Sequence, residues 1–78
     1  MKISIRAYSI FSDFIGKQRE LEIHCDLTVK DLVEYLYNSY NIPREVRSVV
    51  IVNGKVVDEN YLVKDGDIVV IAPPFSGG

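Results

Sequence analysis

Seventy-eight residues with nine Lys and Arg against eleven Asp and Glu carry a net charge of −2, with 47% hydrophobic and 26% charged side chains. A chain this short makes one soluble domain with little room for a conventional enzyme pocket, and its scattered basic residues form no stripe for nucleic acid. No apolar run approaches the roughly 18 residues of a membrane span, and Cys25, the only cysteine, has neither a disulfide partner nor a metal-ligand set beside His24.

In chain order, Ile3, Ile5 and Ala7 alternate with Lys2, Ser4 and Arg6, the period of a half-buried strand. Met1 leads straight into that run rather than into a secretory signal, and the expected location is the cytoplasm. Ile10, Phe11, Phe14 and Ile15 then fall at helical spacing behind Ser9, a candidate N-cap, with Gly16 placed to end the turn at positive φ. Leu21, Ile23 and Cys25 alternate with Glu20, Glu22 and His24, which predicts a second strand with the cysteine facing the core and the histidine facing solvent.

The best helix pattern runs from Thr28 to Tyr40: Val29, Leu32, Val33, Leu36 and Tyr40 share one face, and Thr28 with Asp31 forms a capping box. Pro43 stops it. The β-branched run Val49 to Val52 meets Asn53-Gly54 and then Val56 and Val57, which predicts a tight hairpin, since both turn positions tolerate positive φ. Asp65-Gly66-Asp67 marks another turn, and Ile68 to Ile71 reads as a central strand buried on both faces. Strand, strand, long helix, strand, short strand, strand calls for one mixed sheet with a helix across one face. An apolar patch of Val50, Val52, Val57, Val69 and Ile71 on the face away from the helix is a candidate partner surface; alternation alone leaves its phase open.

The chain closes on Pro73-Pro74-Phe75-Ser76-Gly77-Gly78. A terminal carboxylate, with a pKa of roughly 3.3 to 3.7, is ionised near neutrality and is a poor electrophile until another enzyme activates it. Residues without a Cβ enter a channel too narrow for side chains, and six extended residues reach about 20 Å, enough to find a buried site while the body stays outside. Pro73 and Pro74 stiffen the base of the stalk and cannot join a sheet ladder. A processing scar is the competing reading of Gly77-Gly78.

Other chemistry is weak. His24 and Cys25 are consecutive strand residues and point to opposite faces, so they cannot activate one another. Asp65 and Asp67 flank a turn glycine and read as turn formers rather than an acid-base pair. The glycines lack the spacing of a phosphate loop, so ATP must be held by a partner. The tyrosines at 35, 37 and 40 read as a core edge with hydroxyls in water.

The element order, Phe11 and Gly16 in the first helix, Asn53-Gly54 at the hairpin, Asp65-Gly66-Asp67, and above all the Pro-Pro-x-x-Gly-Gly ending resemble the MoaD/ThiS family of ubiquitin-like sulfur carriers over essentially the whole chain. Within it the ending is most similar to that of the molybdopterin synthase small subunit. The resemblance implies an α+β, β-grasp (ubiquitin-like) fold, a mixed sheet of about five strands with one long helix across one face, as a domain over 1–72 with a flexible tail over 73–78.

It also implies a non-catalytic carrier that binds no cofactor or metal. An adenylyltransferase activating enzyme (MoeB/ThiF-like) would use ATP to adenylate Gly78, and a sulfur donor would then turn the terminus into a thiocarboxylate. Pro73, Pro74, Phe75, Ser76 and Gly77 would enter the large, MoaE-like subunit, which takes the sulfur for molybdopterin. Relatives that serve thiamin or tRNA thiolation, or that attach to lysines, share the tail and differ in partner. Phe75, where a smaller aliphatic is common, reads as an anchor in a partner pocket or as a residue folded back on its own sheet.

Overall fold

Thr28 opens the long helix α2 (Val29–Ser39) with the full reciprocal capping box: its hydroxyl accepts from the Asp31 N–H and the Asp31 carboxylate accepts from the Thr28 N–H. The predicted stripe faces inward, with Val29, Leu32 and Leu36 buried and Val33 half-buried. Tyr37 departs from expectation. It is buried against Phe11, and its hydroxyl donates to the Val46 carbonyl instead of to water, tying the helix to the loop that follows.

The computed structural model describes residues 1–74. Around α2 run β1 (Lys2–Ala7), the short helix α1 (Ile10–Ile15), β2 (Gln18–Glu22), β3 (Val49–Val52), β4 (Lys55–Val56) and β5 (Ile68–Ala72). The sheet order is β2-β1-β5-β3-β4, with β1 and β5 parallel and the other pairs antiparallel. This is the β-grasp arrangement: a mixed sheet of five strands holding the long helix across one face.

The core lies between that face and the two helices, where Ile3, Ile5, Phe11, Leu32, Leu36, Val69 and Ile71 are almost wholly buried. The hairpin is as predicted: Asn53 and Gly54 hold φ of 51° and 83°, the paired left-handed residues of a two-residue turn, and Val52 faces Lys55 across it. Asn53 does more than turn. Its side chain accepts from the Ile68 N–H and donates to Asp67, clamping the hairpin to the start of β5.

Two local expectations fail at the first helix and second strand. Ser9 stands at φ 57° and ψ −133° and makes no side-chain cap; it is a turn residue whose carbonyl takes the Ser12 N–H and hydroxyl. Cys25 is exposed, because β2 ends at Glu22 and the chain bends away before the cysteine is reached. His24 is solvent-facing as expected.

Candidate functional site

The C-terminal segment is positioned by the central strand. β5 is flanked by β1 on one side and β3 on the other, and its last residue, Ala72, is paired with Val49 at the start of β3. On the β1 side the Tyr8 N–H donates to the Ile71 carbonyl at 3.1 Å. Pro73 and Pro74 follow with no N–H to offer, so neither can extend the ladder as a donor, and exposure increases from half-buried Pro73 to exposed Pro74. Pro73 and Pro74 thus follow directly on the central strand, which is hydrogen-bonded on both sides. Phe75, Ser76, Gly77 and Gly78 lie outside the described residues.

Beside that exit lies the sheet face opposite α2. The candidate set does not form it. Val50, Val52, Val69 and Ile71 point into the core, because their register partners Ile5 and Ala7 do the same across β1 and β5. Val57 lies beyond β4 and, with Val29 and Val33, lines a groove of about 450 Å³ between α2 and the hairpin.

The outward set is instead Val49 and Ile51 on β3, Val56 on β4, and Ile68, Val70 and Ala72 on β5. Val56 is 76% exposed and Ile68 38% exposed, with the others half-buried. Nothing in the alternation could have found them: Val49–Val52 and Ile68–Ile71 are apolar at every position, so period two carries no phase. The same face turns polar across β1 and β2, where Ser4 stands opposite Glu20 and Arg6 opposite Gln18. One half of the open face is thus an apolar platform that runs up to Ala72, the last residue of β5. β5 is accordingly central as expected but buried on one face only.

The other candidate residues are structural. Asp65 accepts from the Lys2 N–H at 2.8 Å. Asp67 is 5% exposed, and its carboxylate accepts from the Asn53 amide, the Lys64 N–H and the Tyr61 hydroxyl. Both are turn formers, as the Asp-Gly-Asp pattern implied. Partial burial, then the hydrogen bond to Asp67 and its charge, push the Tyr61 phenol above its ordinary value of 10.0. Among the described residues no group of His, Cys, Asp and Glu is arranged to hold a metal ion, and no helix is long and apolar enough to cross a membrane.

Comparison with known proteins agrees with this geometry. The model of the ThiS family matches residues 8–78, and the chain belongs to that family, the ubiquitin-like sulfur carriers. Among solved structures it is similar to a Pyrococcus furiosus protein assigned as molybdopterin converting factor, subunit 1, at 24% identity and a TM-score of 0.86, covering 96% of this chain and 99% of that one. It is also similar to SAMP1 from Haloferax volcanii, at 19% identity and a TM-score of 0.80 with both chains covered in full. A third likeness is to a chain in the structure of the complex of subunits 1 and 2 of the Helicobacter pylori molybdopterin-converting factor, at 20% identity and a TM-score of 0.70, again over the full length of both chains. No curated protein matches it in sequence.

Proposed function

We propose that this chain carries sulfur on its C-terminal glycine and serves as the small subunit of a molybdopterin synthase. The Gly78 carboxylate attacks the α-phosphate of ATP in a partner adenylyltransferase, forming an acyl-adenylate and releasing pyrophosphate. A hydrosulfide equivalent from a sulfur donor then displaces AMP and leaves a thiocarboxylate. Binding ATP and positioning its phosphates belong to the partner; this chain contributes the reacting carboxyl group and the surface by which it is recognised.

The observation that carries the reading is the location of the exit: the segment ending in Gly77-Gly78 leaves the central strand at the border of an exposed apolar platform. Docking on the platform would aim the tail, and about 20 Å of extended chain would deliver the terminus to a site inside the partner. The likeness to molybdopterin converting factor subunits, one of them solved with its subunit 2, favours molybdopterin over thiamin or tRNA as the destination of the sulfur.

Intact-mass spectrometry tests the first step. After incubation with the adenylating enzyme, ATP and a sulfur source, the protein is expected to exchange one terminal oxygen for sulfur; an unchanged mass overturns the carrier reading. The second step is tested by mixing the thiocarboxylated protein with the large subunit and its precursor and measuring dithiolene formation. A likeness to the small archaeal modifier protein 1 of Haloferax volcanii supports one further reading, a ubiquitin-like modifier conjugated through Gly78 to lysines. That reading predicts high-mass adducts in cells that vanish when Gly78 is deleted.

A further inference from the structure

Of the four asparagines only Asn53 is followed by glycine, so only there is the next backbone nitrogen left unshielded by a side chain of its own residue. That nitrogen can close a five-membered ring on the asparagine. A base takes the Gly54 N–H proton, the nitrogen bonds to Asn53 Cγ, and the Cγ–Nδ2 bond breaks, with Nδ2 taking a proton from water and leaving as ammonia. Water then opens the ring at either carbonyl. One opening leaves an aspartyl side chain on the normal backbone; the other routes the main chain through Cβ and Cγ as an isoaspartyl link. Water and hydroxide are the only co-reactants.

The structure supplies both the access and a lock. Asn53 and Gly54 are exposed in the two-residue turn, no atom lies within 4 Å of where a Cβ on Gly54 would stand, and among the described residues the Gly54 N–H has no acceptor. The carboxamide, however, is held toward β5. Its Oδ1 accepts from the Ile68 N–H at 2.9 Å, its Nδ2 donates to Asp67 at 2.8 Å, and the Asn53 N–H donates to the Ile68 carbonyl at 2.9 Å. Ring closure requires both side-chain bonds to break and the carboxamide to swing back over its own backbone.

We propose that Asn53 is a deamidation site gated by the fold, slow while the clamp on β5 is closed and one-way once local opening of the hairpin lets it react. The inference does not depend on the carrier reading. In the aspartyl product an oxygen replaces the nitrogen that stood 2.8 Å from Asp67, so a donor becomes a second negative charge facing a carboxylate that is 5% exposed. The clamp loses a bond and gains a repulsion. The isoaspartyl product adds a carbon to the main chain of a turn whose residues, at φ 51° and 83°, set the pairing of Val52 with Lys55. Neither product rebuilds the joint between the hairpin and the start of β5.

The test follows one peptide. Arg47 and Lys55 bracket the site, so trypsin releases residues 48–55 together. The full chain is held in mildly alkaline buffer, folded or in denaturing urea, and the peptide is followed by mass spectrometry and chromatography for the mass gain of amide-to-acid conversion and for its two isomers. The unfolded chain is expected to convert at least about tenfold faster than the folded one, because reaction waits on opening and its rate falls with the fraction open. Asp67→Ala, checked for its fold by circular dichroism, removes the acceptor of Nδ2; it is expected to convert faster than wild type when folded and at the same rate in urea. Asn53→Asp, which makes the aspartyl product directly, is expected to lower the urea midpoint.

Equal rates in folded and unfolded wild type overturn the gate, and an intact amide in the unfolded chain overturns the site. A wild-type midpoint for Asn53→Asp overturns the one-way lock. If Asp67→Ala does not fold, the comparison of folded with unfolded wild type and the Asn53→Asp midpoint decide by themselves.

Discussion

Asp67 shows how much one carboxylate can organise. It is the one buried charged side chain among the described residues, and it gathers the hairpin amide of Asn53, the Lys64 backbone and the Tyr61 hydroxyl at the start of the strand that ends in the tail. Removing it leaves three donors without their acceptor, and Asp67→Ala is expected to lower stability by about 3 kcal/mol, measured by urea unfolding. Tyr61 reports on the same contact. Its neutral phenol is the donor, so ionisation loses the bond and sets two negative charges side by side. Its folded value is raised, so its contribution is complete below the ordinary 10.0 and disappears as pH climbs through the raised value. Following phenolate absorbance, Tyr61→Phe should remove a titration that lies above the ordinary tyrosine value, and Asp67→Asn should bring that titration back toward it.

At the scale of elements, the open half of the sheet is the docking face proposed above. Ile51 sits at the middle of the platform, between Val70 of β5 and Val56 of β4. Ile51→Glu places a charge there while leaving the inward residues untouched, so the fold should survive with a loss of about 1 kcal/mol. Affinity for the receiving subunit, measured by calorimetry, should fall by at least about 2 kcal/mol, roughly thirtyfold, if the platform is a hot spot. Unchanged affinity would place the interface elsewhere.

This face also marks the limit of what patterning reveals. Element types were legible wherever polar and apolar residues alternate with a definite phase: Ile3 to Ala7, the capped stripe of α2 and the Asn-Gly turn each carry their own local chemistry. In β3 and β5 every position is apolar, and the facing is decided by register against β1, a long-range property absent from any window of sequence. Cys25 failed for a related reason. The alternation that includes it continues past Glu22, but no partner strand remains there to pair with, so the chain turns and the thiol is exposed.

For the whole molecule, the division of labour between body and tail makes a strong demand. All the buried apolar residues of the described structure fall between Ile3 and Ile71. The sequence marks residues 73–78 as a tail with Gly78 as its reactive end, on glycine's missing Cβ and the terminal carboxylate. If that separation holds, Gly78→Ala and removal of residues 75–78 should each leave unfolding within about 0.5 kcal/mol of wild type, the range of ordinary surface changes. Their functional effects should differ. A single methyl group at the terminus blocks entry into a channel built for backbone alone, so Gly78→Ala should bind the activating enzyme through the platform yet be adenylated far more slowly, with kcat reduced and KM little changed. Removing the four residues should abolish adenylation while the shortened protein still competes with wild type for docking. A truncated protein that neither competes nor slows the reaction would place recognition in the tail itself, and the sheet face would then be only the outside of the fold.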